Sequence, residues 1–119
     1  MNIYGAIGVI TGAGGGIGQA LAFELAKRQI KGLALVDHSA VVDEVARAVN
    51  AKTETVTCTS HRGDVTDPEF RSRVFAELHE RYGMVNICVP AAGVTRDALA
   101  VKMDKQTSRV SVYLFETFR

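Results

Sequence analysis

The sequence predicts an α/β protein built as a doubly wound parallel sheet of about four strands with flanking helices. Three observations predict it. Short apolar runs alternate with amphipathic stretches of helical period. Each of those stretches is long enough to carry the chain back for a parallel crossover. A glycine cluster stands where the first apolar run gives way to the first helical stretch.

Ala6 to Thr11 is short, apolar, rich in Ile and Val and bounded by glycines, as a strand buried on both faces requires. From Ile17 to Ile30 the apolar positions Ile17, Ala20, Leu21, Phe23, Leu25 and Ala26 leave Gln19, Glu24, Lys27 and Arg28 to the other side, which predicts a packed helix. Lys31 and Gly32 are expected to end it, a basic last turn followed by a residue that accepts the left-handed conformation. Leu33 to Val36 is a second strand, closed by Asp37. Val41, Val42, Val45, Ala46 and Val49 then recur at helical spacing and are expected to pack in the core.

Thr55 to Ser60 alternates and is β-branched, so a third strand is expected there, followed by a polar loop of His61, Arg62, Gly63 and Asp64. Asp67 before Pro68 is an N-cap with proline at the first helical position, and the helix it opens runs to about Tyr82, where Gly83 stops it. Val85 to Val89 is a fourth strand, ending in Pro90, Ala91, Ala92 and Gly93. The whole chain, residues 1–119, reads as one partial doubly wound domain. In its tail, residues 101–119, Val101 to Met103 and Val110 to Tyr113 flank a polar stretch, as two short strands of a hairpin or an irregular loop would.

Composition fits a globular domain with one core: 119 residues, 47% hydrophobic and 23% charged, with a formal net charge of +1. No stripe of Lys and Arg marks a nucleic-acid or membrane partner. Cys58 and Cys88 lie inside apolar runs without metal-ligand spacing, so both are expected to be buried free thiols, which suits a reducing cytoplasm. The N-terminus enters a strand without the pattern of a signal peptide, and no apolar stretch approaches membrane-spanning length. His38, His61 and His79 are scattered over a strand end, a loop and a helix, so solvated histidines are expected rather than a metal site.

Chemistry concentrates at Thr11, Gly12, Ala13, Gly14, Gly15, Gly16, Ile17 and Gly18. A diphosphate placed where a strand hands over to a helix meets unpaired backbone N–H groups and the positive end of the helix dipole. Glycine keeps side chains from holding it away, and at Gly18 lets the helix pack closely on the strand. One strand later comes Asp37, nineteen residues past Gly18, where a carboxylate can accept from both ribose hydroxyls. The same carboxylate would repel the 2′-phosphate of NADP, so NAD is the expected cofactor. No Arg or Lys lies between Ala13 and Gly16, although His38 and Arg62 are close enough in sequence to pair a phosphate.

With these residues in place the sequence resembles the short-chain dehydrogenase/reductase family, in its ketoacyl-reductase-like branch, from Ile7 to about Met103. The family's Thr-Gly-x-x-x-Gly-x-Gly pattern falls on Thr11, Gly12, Gly16 and Gly18, its acidic residue on Asp37, and its adenine-contacting Asp-Val pair on Asp64 and Val65. Its Asn-Ala-Gly turn falls on Ala91, Ala92 and Gly93, with Ala91 in place of the Asn. The run Gly93, Val94, Thr95, Arg96 and Asp97 is also similar to the residues that often succeed that turn in this branch.

The resemblance implies a Rossmann-type fold. It also implies a cofactor site made by Gly12, Gly15, Gly16, Ile17, Gly18, Asp37, His38, Asp64, Val65, Ala91, Ala92 and Gly93. It further implies hydride transfer between a nicotinamide and a carbonyl or alcohol carbon, with a Tyr moving the proton and a Lys lowering its pKa. The family's catalytic Ser, Tyr and Lys lie past residue 119. Tyr4, Tyr82 and Tyr113 are followed four positions later by Gly8, Asn86 and Thr117, so none begins a Tyr-x-x-x-Lys pair. A threading in which the tail hairpin is an insertion starts the next helix at Phe118. Two functions stay open on the sequence alone: the NAD-binding portion of an oxidoreductase, or a non-catalytic nucleotide-binding or interaction module. Assembly into a homo-oligomer stays open as well.

Overall fold

A computed structural model of the chain describes residues 3–91 and the backbone of two further strands, Leu99–Asp104 and Arg109–Leu114. Strand β1 (Ile7–Thr11) leads into helix α1 (Gly16–Lys27), β2 (Gly32–Asp37) into α2 (Val41–Lys52), and β3 (Thr57–Arg62) into α3 (Pro68–Tyr82). Strand β4 (Ile87–Pro90) closes a four-stranded sheet of order β3-β2-β1-β4, every pair parallel. Strands β5 (Leu99–Asp104) and β6 (Arg109–Leu114) form a separate antiparallel pair, with Leu99 opposite Leu114 and Asp104 opposite Arg109. Phe118 lies outside the described residues.

Side-chain alternation along the strands divides the core into two layers. Ile10 of β1 and Leu33 and Leu35 of β2 face α1 and α2, where Ala22, Leu25, Ala26, Val42, Val45 and Val49 meet them. Val9, Ala34 and Val36 face the other way and are covered by Phe70, Val74 and Leu78 of α3. All six residues of β2 are buried, as a central parallel strand covered on both faces must be. The sheet is thus doubly wound.

The helical faces differ from the expected ones at their edges. In α1 the buried residues are Gly18, Ala22, Leu25 and Ala26, while Ala20 is exposed and Ile17, Leu21 and Phe23 are half-buried against the core. In α2 Val41 is exposed, because it is the first residue of the helix and stands over the loop after β1 rather than over the sheet. The valine stripe proper is Val42, Val45 and Val49.

Helix α1 also ends earlier than Lys31 and Gly32. Gln29 takes the left-handed conformation, with φ 62°, and donates to the carbonyl of Ala26, while Ile30 donates to that of Leu25. This is a Schellman motif closed by a glutamine, and its apolar partners Leu25 and Ile30 share one core cluster. Gly32 serves another purpose: it opens β2 where a Cβ would stand 2.7 Å from Cζ of Tyr82.

Strand β3 runs two residues later than Thr55 to Ser60, because its ladder with β2 continues to the Asp37–Arg62 pair and draws His61 and Arg62 out of the polar loop. Strand β4 likewise starts at Ile87 and includes Pro90, paired with Thr11 at the sheet edge. Asn86 lies just ahead of β4; its side chain accepts from the amide of Ile7 and its own amide donates back to the Ile7 carbonyl, both at 2.8 Å. Helix α3 follows the sequence signals closely. Asp67 accepts from the amide of Glu69, Pro68 opens the helix, and Gly83 closes it at φ 82°.

Cys58 is buried and Cys88 is exposed on β4, contrary to the expectation that both are inside. Burial pushes the Cys58 thiol up to about 12. Among the described residues no helix is long and apolar enough to cross a membrane.

Candidate functional site

Strand order decides where a cleft can open. Between β1 and β4 the connections change direction, and the loops leaving the carboxyl ends of the strands part there. A cleft of about 740 Å³ lies at that end of the sheet, within the range of small-molecule sites. Four strands contribute to its wall. Gly12 follows β1, Asp37 ends β2, Gly63 to Val65 follow β3, and Ala91 follows β4.

The floor is the turn into α1. Gly12 has φ 70°, a conformation that side chains other than glycine resist. A Cβ on Gly18 would be driven into the carbonyl oxygen of Gly12 and stand 2.7 Å from the α-carbon of Ala13, so glycine there is needed for the helix to start against the strand end. Gly15 and Gly16 are different. Neither has a positive φ, and a Cβ on Gly16 would meet no protein atom within 4 Å, while one on Gly15 would meet only Gly12 oxygen, at 3.5 Å. Their bare α-carbons satisfy no internal packing demand; they widen the cleft.

Helix α1 begins without a side-chain cap and without an acid in its first turn. The first intrahelical acceptor used is Gly15, by the amide of Gln19 at 2.9 Å, so the amides of Gly16, Ile17 and Gly18 have no acceptor among the described residues. Three unpaired donors at the positive end of a helix, beside two bare α-carbons, make a cradle that fits a diphosphate.

Asp37 is 8% exposed and lies at the end of β2. Its Oδ2 accepts from the amide of Gly14 at 2.7 Å and its Oδ1 from the amide of Ser39 at 3.1 Å; the Nδ1 of His38 also lies 3.1 Å from Oδ1. The carboxylate is therefore fixed by two backbone donors and still borders the cleft, while the His38 ring is 88% exposed. Arg62 does not border it; its guanidinium stands 4.0 Å from Asp43.

Asp64 accepts from both the amide and the hydroxyl of Thr66, at 2.9 and 2.7 Å. These bonds hold its carboxyl below the usual carboxylate range. Val65 beside it packs partly against the α3 core cluster. Ala91 is buried and its amide donates to the carbonyl of Thr11, which fixes the far wall to β1. Of the residues expected from sequence, Gly12, Gly15, Gly16, Ile17, Gly18, Asp37, His38, Asp64, Val65 and Ala91 border this one cleft, and Ala92 and Gly93 lie outside the described residues.

Three participants are not among the cofactor-site residues that the resemblance implies. Gly14 donates to Asp37, Gln19 donates from its side chain to the Gly14 carbonyl at 2.7 Å, and Gly63 borders the cleft, where a Cβ would run into the ring of Phe70. A run of glycines one longer than the turn requires was the available signal for Gly14. Among the described residues no three His, Cys, Asp or Glu side chains gather as metal ligands. His61, expected in solvent, is instead largely enclosed, with its side chain 14% exposed.

The fold and this cleft define an α/β protein of the Rossmann type. The short chain dehydrogenase family's sequence model matches residues 6–114, and the chain belongs to that family of oxidoreductases. It is 35% identical over 105 residues to the 3-oxoacyl-[acyl-carrier-protein] reductase FabG of Escherichia coli, a match covering 87% of this chain and 40% of that enzyme. Among solved structures it resembles NAD+-bound xylitol dehydrogenase (27% identity, TM-score 0.66, 74% of this chain and 33% of that one). It also resembles L-sorbose reductase from Gluconobacter frateurii in complex with NADPH and L-sorbose (31% identity, TM-score 0.66, 74% and 34%). The chain spans about 40% of the length of the curated relatives it matches first.

Proposed function

We propose that the chain binds a nicotinamide dinucleotide in this cleft, with NAD preferred over NADP. In this proposal it is the cofactor-holding portion of an oxidoreductase acting on a carbonyl or alcohol substrate. The amides of Gly16, Ile17 and Gly18 would hold the diphosphate, Asp37 the adenosine ribose, and Asp64 with Val65 the adenine. Ala91 would line the side toward the nicotinamide. The nicotinamide, when bound, supplies the hydride chemistry. What this chain supplies is placement, and no residue of it is assigned the proton transfer. Its two unpaired thiols fit a reducing cytoplasm as the proposed location.

The single observation that carries the preference is a carboxylate held by two backbone amides at the rim of the same cleft as the bare helix start. Similar structures carry NAD+ in one case and NADPH in another, so the choice rests on this chain's own residues. Asp37 offers two acceptor oxygens to a diol and like charge to a 2′-phosphate, and Arg62, which could have neutralised that phosphate, is turned toward Asp43. Titration of NADH and NADPH against the chain, followed by nicotinamide fluorescence, should give at least about tenfold tighter binding of NADH, the scale of one charge-assisted contact. Asp37→Ala should erase most of that difference. Equal affinities in the unmodified chain would refute the preference.

A further inference from the structure

We propose that Gly14 is a positioning residue that sets cofactor choice through Asp37, an inference that rests on the preference for NAD proposed above. Its backbone does not explain why it is glycine: Gly5, Gly12 and Gly83 have positive φ, and Gly14 does not. Space explains it. A Cβ on Gly14 would stand 2.8 Å from Oδ2 of Asp37, closer than a Cβ comes to another atom, and 3.2 Å from its Cγ, a tight contact. Val41, with its Cβ 3.7 Å from the same point, stands close by as well.

The missing side chain is what lets the carboxylate reach the Gly14 amide at 2.7 Å. Ser39 anchors the other oxygen, and Gln19 holds the Gly14 carbonyl, so the peptide that receives the carboxylate is itself fixed. Any side chain at residue 14 turns the carboxylate off that amide. Residue 14 therefore acts on the ribose end of the cleft while its neighbours Gly15 and Gly16 act on the diphosphate end.

The test is a double-mutant cycle on the full chain with Gly14→Ala, Asp37→Ala and the pair together, each titrated with NADH and NADPH. Gly14→Ala should lower the NADH-to-NADPH affinity ratio by about tenfold, chiefly by weakening NADH, as displacement of a charge-assisted acceptor would. In the Asp37→Ala background the same change should leave the ratio unmoved. An equal loss for both cofactors, or the same loss of ratio without Asp37, overturns the proposal, since residue 14 would then act through the diphosphate turn.

If Gly14→Ala does not fold, adding Asp37→Ala should restore folding by removing the obstacle, as read by circular dichroism; failure of that rescue overturns the proposal too. An unmodified chain that binds both cofactors equally refutes the NAD preference and this inference together. An unmodified chain that prefers NADH, with Gly14→Ala unchanged in ratio, refutes only this inference.

Discussion

His61 shows how burial sets the response of a single residue to pH. Its ring is enclosed between β3 and α3, with Nε2 3.0 Å from the hydroxyl of Thr59 and Nδ1 3.7 Å from Glu77. Burial lowers its pKa from the ordinary 6.5, and the charge of Glu77 opposes that only in part. The unfolded chain then takes up the proton before the folded one does, so stability falls as pH drops through about 6.5 toward the lower folded value. Urea midpoints should decrease between about pH 7.5 and about pH 5.5, and His61→Gln should flatten that decrease; a slope unchanged by the substitution would count against it. From sequence His61 reads as a loop histidine because the alternating pattern of its strand stops at Ser60, just short of it. Asp37, by contrast, is legible, since an acid closing an apolar run two elements after a glycine turn has few structural alternatives. Its two amide anchors are not, because the Gly14 contact spans 23 positions and depends on a distance that spacing does not encode.

At the scale of elements, the places where the sequence misleads are the ends. Apolar period identifies α1 and α2 because burial of one face selects it, but termini are fixed by local hydrogen bonds that several residues can satisfy. Gln29 is the clearest case. It holds the left-handed position that Gly32 seemed suited for, because the Leu25 and Ile30 pair sets where the motif must close. A side chain in that conformation costs about 1 kcal/mol relative to glycine. Gln29→Gly should therefore raise stability by roughly 0.5–1 kcal/mol, which chemical denaturation with an unchanged m-value would register. No gain, or a loss, would mean that the glutamine side chain contributes more than its backbone strain removes. Strand β3 is displaced for a related reason: its end is set by how far β2 continues to offer ladder partners, which only the paired strand determines.

For the molecule as a whole, the cleft ties together segments that the core alone leaves separate. The two apolar layers hold the sheet from inside, but the segments after β1, β2 and β3 and Ala91 after β4 meet at the carboxyl ends of the strands. In the proposed binding mode a dinucleotide bridging them would bind the folded chain and not the unfolded one, and would stabilise the fold by mass action. At a free concentration of about one hundred times Kd the gain is about 2.7 kcal/mol, whatever the details of the contacts. NADH should accordingly raise Tm progressively with the logarithm of its concentration. NADPH at equal concentration should raise it less if, as proposed, the carboxylate of Asp37 meets the 2′-phosphate. The difference between the two curves should close in Asp37→Ala while the common rise, assigned in the proposal to the diphosphate on the bare amides of α1, persists. Differential scanning fluorimetry across a cofactor series separates these terms. A Tm insensitive to both dinucleotides would mean that the cradle at Gly16 to Gly18 does not take a diphosphate at all. Equal rises would leave the cradle standing and remove Asp37 from the choice.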